Sequence, residues 1–446
     1  MKTHKAYGIA LVGCGTVGGA TAQLLTKDRE DLRQRTGIEL TLKYIVDRDF
    51  TRAKAFGLDE GLYETDLGKA LADPDIDVIL ELVGGTTIAR DIIEKALKAG
   101  KHVVTANKAL LAHHGAELMA VAQANKVAIA FEGSCAGGIP IVRTLYDGLI
   151  ANRIDALYGI VNGTCNYILT EMIQKGQGYG EALKAAQASG LAEADPHLDV
   201  SGTDSAHKLA ILAALAFGQR IEFEKIPVAG IDTLELIDVT FGQELGYIVK
   251  LLAIAQRTDK GLSLRVRPSF ITRQHPLAWV SGPFNAVSIY GHAVGHTMYY
   301  GRGAGGSPTA SAIIADIVSL ALGTAQSTFH ELRIWPDRTI QSVQLPSDQI
   351  ESRYYVRVMV QDIPGVFAKL ATILGNHSIS ISSVLQKEPG EDEPGGVPVV
   401  ITTHRALEGN VLDALGEIDK LPVVMRPSVC IGIIDEHEEK VGGVTI

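Results

Sequence analysis

Ionisable side chains are concentrated in residues 186–208, AQASGLAEADPHLDVSGTDSAHK, more densely than a connecting segment requires. A lysine held beside carboxylates in a cleft can donate or accept a proton, and carboxylates can hold a substrate ammonium group. A helix N-terminus with a surface ion pair would use the same residue types, so that alternative stays open. The ionisable residues of this segment that fall within sixteen positions are Glu193, Asp195, Asp199, Asp204, His207 and Lys208.

The same segment contains turn-forming residues that determine where the acids lie. Gly190, Pro196 and Gly202 interrupt the helical pattern three times, which predicts a loop with defined turns. From Asp204 onward the pattern becomes helical, so Asp204 and Lys208 fall four residues apart on one helix face. The spacing therefore predicts a carboxylate beside an amine at the start of a helix.

A glycine-rich turn follows the first apolar strand of the chain. The run GIALV predicts a strand, and GCGTVGG leads from it into a helical pattern. Gly13, Gly15 and Gly18 fit the spacing G-x-G-x-x-G in this strand, turn and helix context, with Thr16 and Val17 between them. Such glycines permit a tight turn and a close approach of the backbone to a pyrophosphate at the helix N-terminus. We predict a dinucleotide site, with a glycine turn that binds no ligand as the alternative.

The end of the second predicted strand, ELTLKYIVD, bears on the choice between NAD and NADP. Asp47 could hold a ribose 2′-hydroxyl, whereas Arg48 could pair with a 2′-phosphate. Arg52 and Lys54 lie nearby and favour NADP, although a solvated basic turn would have the same composition. The sequence alone therefore leaves the cofactor as NADP or NAD.

Strands and helices alternate through the first third of the chain. This alternation predicts an α/β fold with a Rossmann-type doubly wound parallel sheet, in which ligands bind beyond the carboxyl ends of the strands. Gly84, Gly85, Thr105, Asn107 and Lys108 lie at such ends. We expect Lys108 to point into the cleft; an exposed lysine at a helix start is the alternative.

The segment 131–142, FEGSCAGGIPIV, is rich in backbone oxygen atoms and poor in side chains. The Glu132 carboxylate and the carbonyl oxygens of Cys135, Gly137 and Ile139 could surround a hard cation. From these residues alone, a plain glycine turn is the better interpretation.

Composition excludes several classes of protein. A chain of 446 residues implies two or three domains, and 46% hydrophobic with 21% charged residues is typical of a globular enzyme. The formal charge of −10, without a basic run, argues against a nucleic-acid partner, and no segment has the apolar length that a membrane span requires. Four widely separated cysteines without a CxxC pair fit a reduced, cytoplasmic protein.

The middle of the chain predicts a second sheet. Alternating segments such as VAGIDTL, LSLRVRPSFI and NAVSIYGH indicate antiparallel strands whose open face could serve a homodimer or homotetramer. The run GRGAGGSPTASAIIADIVSLAL then predicts a glycine loop that enters a long apolar helix. We expect this helix to return to the first domain.

Over roughly residues 6–325 the chain resembles a homoserine dehydrogenase. The resemblance rests on GCGTVGG, on NGTCNYIL, and on A-x-x-x-G-L-A-E-A-D-P-x-x-D-V-x-G-x-D-x-x-x-K from Ala186 to Lys208. It implies NAD(P)-dependent interconversion of L-homoserine and L-aspartate 4-semialdehyde on the way to threonine, methionine and isoleucine. It further implies two catalytic lysines: Lys208 as the proton donor to the aldehyde oxygen, and Lys108 beside substrate and cofactor.

The same resemblance implies the other site residues. Glu193, Asp199 and Asp204 would bind the amino acid substrate, and the loop around Glu132 would hold Na+. The sodium ligands would be Glu132, Cys135, Gly137 and Ile139, the last three through backbone oxygen. The cofactor-binding residues would be Gly13, Gly15, Thr16, Val17, Gly18, Arg48, Gly84, Thr105, Lys108 and Gly303.

The last hundred residues resemble an ACT domain, with the order βαββαβ of a ferredoxin-like fold. Asp362, Pro364, Gly365 and Val366 form its first strand-to-helix turn, and Asn376 ends its first helix. ACT domains generally bind small amino acids, so feedback by threonine is a hypothesis. An oligomerisation domain without a ligand is the alternative.

These patterns divide the chain into four parts. Residues 1–135, completed by 301–325, form the nucleotide-binding domain; 136–300 form an α+β substrate and dimerisation domain; 326–350 are a linker, and 351–446 the ACT domain. A different NAD(P) enzyme is a competing function, but it gives no reason for the acidic segment. A non-enzymatic amino acid sensor is another, although intact glycines and lysines argue against it.

Overall fold

A computed structural model describes residues 6–332, 343–387 and 396–438, together with 440–441 and 444–445. Contacts group the chain into two units. The first unit comprises residues 1–157, 204–223 and 284–342, and the second 158–203, 224–283 and 343–446. The predicted linker at 326–350 lies partly outside the described residues, as do parts of the first and last predicted domains.

The described residues form the following helices and strands in chain order. The first half contains β1 (Ala6–Val12), α1 (Thr16–Lys27), α2 (Arg29–Thr36), β2 (Glu39–Val46), α3 (Thr51–Ala55), β3 (Tyr63–Glu64), α4 (Leu67–Ala72), β4 (Val78–Glu81), α5 (Ile88–Lys98), β5 (His102–Thr105), α6 (Lys108–Ala124), β6 (Ile129–Ala130), α7 (Ile141–Arg143), β7 (Ile154–Ile160), α8 (Gly163–Lys175), α9 (Tyr179–Ala188), α10 (His197–Val200) and α11 (Thr203–Phe217). The second half contains α12 (Leu236–Glu244), β8 (Tyr247–Thr258), β9 (Gly261–Thr272), β10 (Phe284–Gly291), β11 (Gly295–Arg302), α13 (Gly306–Ala321), α14 (Thr324–Glu331), β12 (Glu351–Val360), α15 (Val366–Asn376), β13 (Ile381–Gln386), β14 (Val397–Thr403), β15 (Ala406–Leu407), α16 (Glu408–Ile418), β16 (Val424–Ile434), β17 (Lys440–Val441) and β18 (Val444–Thr445).

The first unit is built on a six-stranded sheet with the order β3-β2-β1-β4-β5-β6. All of its neighbouring strands are parallel. This is the strand order of the classical dinucleotide-binding fold, so the predicted fold is confirmed. β1 and β4 lie at its centre and are almost entirely buried, which explains their continuous apolar sequence. The two-residue β3 was absent from the prediction because it is too short to produce a pattern.

The helix that the sequence predicts after GRGAGG is α13, and it packs within the first unit. A Cβ on Gly306 would lie 3.2 Å from the carbonyl oxygen of Thr16 and 3.3 Å from the Ala20 side chain, so α13 lies close against α1. The predicted return of this helix to the first domain is therefore confirmed. In the same unit, β10 and β11 form the antiparallel hairpin that starts at the NAVSIYGH segment.

The second unit contains the C-terminal module. Its strands β12, β13, β14 and β16 pair antiparallel in the order β16-β12-β14-β13, with α15 and α16 inserted as βαββαβ requires. The predicted ferredoxin-like topology is thus confirmed. Apolar residues of both helices pack against one face of the sheet in a single buried cluster. β16 also pairs in parallel with β9, joining Gly432–Ile434 to Ser269–Ile271, so this sheet continues into the β8–β9 hairpin.

The prediction that VAGIDTL is a strand was wrong. In this segment only Val228 makes a bridge, and it is a parallel one to Val266. The segment leaves β9 because the Ile231 N–H donates instead to the carbonyl oxygen of Val200, at 2.8 Å. A Cβ on Gly230 would lie only 2.1 Å from that oxygen, so the chain can turn here only through glycine. The other two predicted strands are parts of β9 and β10.

Within the residues that the structure describes, no helix is by itself long and apolar enough to cross a bilayer. α13 and α14 meet that test of length and composition only as a pair, and they are bent by 81°.

Candidate active site

The three glycines of the G-x-G-x-x-G turn have different steric surroundings. Gly13 has φ +93°, and a Cβ there would lie 2.7 Å from the backbone of Leu82. A Cβ on Gly18 would lie 2.1 Å from the Gly13 carbonyl oxygen, so α1 packs against the turn. Gly15, at the N-terminus of α1, has open space around it. A bound pyrophosphate requires a tight turn, close packing of the helix and an open helix N-terminus. The three glycines provide these features, so they fit a dinucleotide.

Asp47 and the basic residues after it surround the same turn. One Asp47 carboxylate oxygen accepts the Cys14 N–H at 2.7 Å, and the other accepts the Arg48 N–H at 2.7 Å. The carboxylate therefore braces two backbone segments. The Arg48 side chain is exposed, and the Arg52 guanidinium donates to the Thr16 hydroxyl at 2.8 Å. Arg48 and Arg52 thus lie just after the end of β2, the strand end that reads the ribose 2′-substituent in dinucleotide-binding folds.

Glu81 organises the carboxyl ends of β4 and β5. It is fully buried, and its carboxylate accepts the N–H groups of Val83 and Gly84 at 3.0 and 3.1 Å. The Thr105 hydroxyl donates to its second oxygen at 2.7 Å. Glu81 thus holds the predicted cofactor residues Gly84 and Thr105 in place. Sequence reasoning missed it, although a lone acid inside the apolar run DVILELV was a signal.

Asn107 fixes the start of α6 and so the position of Lys108. Its side-chain oxygen accepts the Leu110 N–H at 3.1 Å, which caps the helix, and its amide nitrogen donates to the Gly85 carbonyl oxygen at 2.7 Å. Lys108 is therefore the first residue of α6, about one third exposed. It lies at the same strand end as the other predicted cofactor residues of this sheet.

Lys108, Asp204 and Lys208 form one ion network in the first unit. One Asp204 carboxylate oxygen is 3.1 Å from Lys108 Nζ, and the other accepts from Lys208 Nζ at 2.7 Å. Asp204 and Lys208 are both buried, and they share a face of α11 as their four-residue spacing predicts. The structure therefore brings both predicted catalytic lysines to a single carboxylate. Such an arrangement fixes two amines in a partly dry site, where one can hold a developing oxyanion while another transfers a proton.

His207 lies beside this network and is held in an aromatic stack. Its ring is parallel to Phe223, with centroids 4.7 Å apart, and meets His113 edge-on at 5.4 Å. Burial, with a smaller contribution from His113, lowers the pKa of His207 to about 4. The ring is therefore neutral near pH 7.

The remaining acids of the segment belong to the second unit. Asp199 is half-buried and accepts the Asn162 side-chain N–H at 2.8 Å, while Asn162 also caps α8 by accepting the Cys165 N–H at 2.8 Å. Asn162 thus supports the acidic loop together with Thr164 of the same NGTCNYIL motif, whose hydroxyl donates to the Leu191 carbonyl oxygen at 2.9 Å, a role that the sequence did not assign. Glu193 is exposed, on a turn just after Gly190 with its φ of +69°. A carboxylate in this position is accessible to a substrate.

The loop around Glu132 is buried against α13. The Glu132 carboxylate accepts the N–H groups of Val142 and Arg143 at 2.9 and 2.8 Å, and its own N–H donates to Asp316 at 2.8 Å. Burial raises the pKa of Glu132. Burial, together with the charge of Glu132, raises the pKa of Asp316 to about 8. The Arg143 guanidinium, 3.4 Å from Asp316, supplies one cation to these two buried acids.

The predicted cation ligands lie together in this loop. Residues 132, 135, 137 and 139 are all buried, and the Ile139 carbonyl oxygen also accepts the Ile141 N–H at 2.7 Å. In the described part of the chain, no group of three or more His, Cys, Asp and Glu side chains could hold a metal ion. A cation here would therefore depend on backbone oxygens and one carboxylate, which suits a hard ion such as Na+. Sequence reasoning missed Asp316, which interrupts the apolar helix α13.

Gly303 lies where the chain returns from β11 to α13. Its carbonyl oxygen accepts the Gly137 N–H at 2.9 Å, so the return segment is attached to the Glu132 loop. A Cβ on Gly303 would overlap the side-chain amide of Asn285, 1.9 Å from its nitrogen. Glycine is thus required at 303 by the close approach of Asn285.

Comparison with known protein families accounts for most of the chain. The model of the homoserine dehydrogenase NAD-binding domain matches residues 13–132, and the homoserine dehydrogenase model matches residues 140–318. The ACT domain model matches residues 354–420. The three matches follow one another in the order that the sequence predicted.

Individual relatives are similar to this chain over nearly the whole of their own length. A homoserine dehydrogenase of Pseudomonas aeruginosa is 42% identical over 428 residues, covering 95% of this chain and 98% of that protein. The crystal structure of a homoserine dehydrogenase from Thiobacillus denitrificans is 40% identical, covers 98% of this chain and all of the other, and superposes with a TM-score of 0.89. A hyperthermophilic archaeal homoserine dehydrogenase mutant, solved in complex with NADPH, is 26% identical over 71% of this chain and 98% of its own, with a TM-score of 0.59. The chain therefore belongs to the homoserine dehydrogenase family of NAD(P)-dependent oxidoreductases.

Proposed function

We propose that this protein interconverts L-homoserine and L-aspartate 4-semialdehyde in the cytoplasm, on the route to threonine, methionine and isoleucine. The observation that carries the proposal is the bridge by Asp204 between Lys108 and Lys208, in the unit that also contains the dinucleotide-binding sheet. A carbonyl reduction needs a cation and a proton donor at the oxygen, and this network supplies both.

The roles of the chain's own groups follow from that network. A bound nicotinamide supplies or accepts the hydride, and the protein must orient the substrate against it. Lys208 donates a proton to the carbonyl oxygen during reduction and takes it back during oxidation. Lys108, on the other side of Asp204, stabilises negative charge on that oxygen. Asp204 holds both amines at fixed positions, 3.1 and 2.7 Å from its two oxygens.

We propose carboxylates as the anchor for the α-ammonium of the amino acid. Glu193 is exposed, whereas the half-buried carboxylate of Asp199 accepts the Asn162 side-chain N–H at 2.8 Å. Both oxygens of Asp204 are bonded to lysines, although each carboxylate oxygen can accept a second donor. Of the three predicted substrate acids, Glu193 therefore has the most capacity for an incoming cation.

One assay tests the function: nicotinamide absorbance with homoserine, using NAD and NADP in turn. Turnover with homoserine, and its absence with other amino acids that carry no 4-hydroxyl, supports the proposal. Turnover of a different amino acid alone would assign another NAD(P) enzyme. Cofactor binding without turnover of any amino acid would favour the alternative function, a non-enzymatic amino acid sensor.

We propose NADP as the preferred cofactor, and we predict that Arg48→Ala removes the preference. Asp47 is occupied by backbone N–H groups, whereas Arg48 is exposed where a 2′-phosphate would lie. Loss of one charge-assisted contact should raise KM for NADP about 10- to 100-fold while KM for NAD stays nearly constant. Lys54→Ala is the matched control, since Lys54 belongs to the same basic turn but pairs with Glu60 at 3.3 Å. Equal losses for both cofactors in Arg48→Ala would contradict this role.

We propose that Na+ binds the loop of Glu132, Cys135, Gly137 and Ile139. Support comes from the burial of all four residues and from a second buried acid beside Glu132, Asp316, which accepts the Glu132 N–H at 2.8 Å. The homoserine assay in sodium chloride and in choline chloride tests the proposal. Activation by sodium that Glu132→Gln abolishes would support it, and identical rates in both salts would favour a plain glycine turn.

We propose that the ACT domain binds threonine and that the protein assembles as a homodimer or homotetramer. The ACT topology and the match over residues 354–420 support an amino acid ligand. The homoserine assay with added threonine, and size-exclusion chromatography with light scattering, test the two statements. A rate unaffected by millimolar threonine, with no binding by calorimetry, would leave oligomerisation as the domain's role.

We also propose the predicted domain boundaries. The nucleotide-binding domain comprises 1–135 with 301–325, the substrate and dimerisation domain 136–300, the linker 326–350 and the ACT domain 351–446.

A further inference from the structure

Asn285, in β10, has a buried side-chain amide that the predicted reaction does not use. Its residue exposure is 1%, and neither its nitrogen nor its oxygen has a hydrogen-bond partner in the described part of the chain. Buried polar atoms in native proteins are nearly always hydrogen-bonded, and each one left unpaired is costly. An amide with both atoms unpaired therefore calls for a partner that the chain does not supply in this conformation.

The amide is packed directly on the return segment 303–305. A Cβ at Gly303 would be 1.9 Å from Asn285 Nδ2 and 2.5 Å from Oδ1, so the plane of the amide lies against the Gly303 backbone. The adjacent residue Arg302 and Gly303 itself accept N–H groups from Gly138 and Gly137, both at 2.9 Å. On one side, then, the return segment is bonded to the Glu132 loop.

On its other side the return segment leads to the dinucleotide turn. Gly305, with φ +127°, is the residue before α13, and a Cβ on Gly306 would lie 3.2 Å from the carbonyl oxygen of Thr16 in the G-x-G-x-x-G turn. The conformation of 303–305 is therefore coupled to the residues that would hold the pyrophosphate. A side-chain amide offers one acceptor and two donors, which complements the N–H and C=O of a peptide group.

We propose that Asn285 is a positioning residue of the cofactor site: its amide bonds the backbone of residues 303–305 in the conformation that the bound dinucleotide selects. The inference rests on the proposed function, because it takes Gly303 as a cofactor-binding residue. Asn285 does not touch the reacting atoms, and it acts through the return segment.

The decisive variant is Asn285→Leu, which keeps the branched shape of the side chain and removes both polar atoms. Thermal unfolding without cofactor should show a melting temperature equal to or above that of the wild type, because no unpaired amide remains buried. The dissociation constant for NADP, measured by calorimetry, should rise about tenfold, as for loss of one hydrogen-bonded contact. KM for the cofactor should rise in parallel, with kcat changed less than twofold.

Ser288→Ala is the matched control on the same strand. Ser288 is buried and has a hydrogen-bond partner, His296 Nε2 at 3.1 Å, so its removal should leave cofactor affinity unchanged. An Asn285→Leu protein that binds NADP within twofold of the wild type would overturn the inference. If Asn285→Leu does not fold, the NADP affinity of Asn285→Ala decides the inference by the same twofold criterion. Wild-type protein that gains no thermal stability from either NADP or NAD would instead refute the proposed function.

Discussion

Replacing Lys208 by alanine is expected to lower kcat for homoserine oxidation about 10²- to 10⁴-fold, the usual contribution of a positioned proton-transfer group. Lys208 is buried, and its amine is held 2.7 Å from Asp204. The variant should fold, because Asp204 keeps Lys108 at 3.1 Å and is not left as an unpaired buried charge. NADP affinity should persist, since the glycine turn and Glu81 are untouched.

The measurement is steady-state turnover of homoserine together with a calorimetric dissociation constant for NADP. Lys98→Ala serves as the control, because Lys98 is exposed and pairs with Glu94 four residues earlier, at 3.1 Å. Lys208→Arg should be nearly as inactive as Lys208→Ala, since a guanidinium keeps the charge but does not release its proton. Near-wild-type turnover in Lys208→Ala would exclude the lysine as proton donor.

The parts of the site that the sequence predicted are those set by local spacing. Gly13, Gly15 and Gly18 produce their turn within six residues, and Asp204 and Lys208 are joined by one helical turn. In both cases the geometry of one element places the groups, so reading the spacing is sufficient.

The parts that the sequence did not predict depend on contacts between distant segments. Glu81 bonds Thr105, 24 residues away, and Asp316 bonds the Glu132 backbone across 184 residues. The VAGIDTL segment alternates like a strand, yet Ile231 bonds Val200 instead of a neighbouring strand. Alternation reports which side chains can be buried, whereas the hydrogen-bond partner is decided by the tertiary fold.

Arg357→Met is expected to destabilise the second unit by about 3–5 kcal/mol, the cost of leaving one member of a buried ion pair unpaired. Arg357 lies on β12 of the ACT domain, and its guanidinium donates to both oxygens of Asp238 on α12, at 2.6 and 2.9 Å. Both residues are at most 1% exposed. Burial opposes the charge on Arg357, but the hydrogen bonds and charge of Asp238 outweigh it and raise the guanidinium pKa.

The loss of unfolding free energy is measured by urea unfolding, as the shift in the midpoint of the transition. Arg426→Met is the matched control: Arg426 also lies on a strand of the ACT sheet and pairs with Glu235 at 2.9 Å, but both side chains are about 40% exposed. It should cost no more than about 1 kcal/mol, as exposed pairs generally do. The double variant Arg357→Met with Asp238→Leu should recover much of the loss, because it removes both buried charges together.

The Arg357–Asp238 ion pair gives the ACT domain a physical connection to the acidic segment within the second unit. Asp238 lies in the first turn of α12, and the Ile231 N–H just before that helix donates to Val200, the residue that follows Asp199, at 2.8 Å. Loosening α12 should therefore raise KM for homoserine in Arg357→Met while KM for NADP stays constant, because the glycine turn belongs to the other unit.

An unchanged urea midpoint would show that the pair contributes nothing net to folding. An unchanged KM for homoserine in a destabilised variant would show that the ACT sheet supports the second unit without reaching the substrate acids.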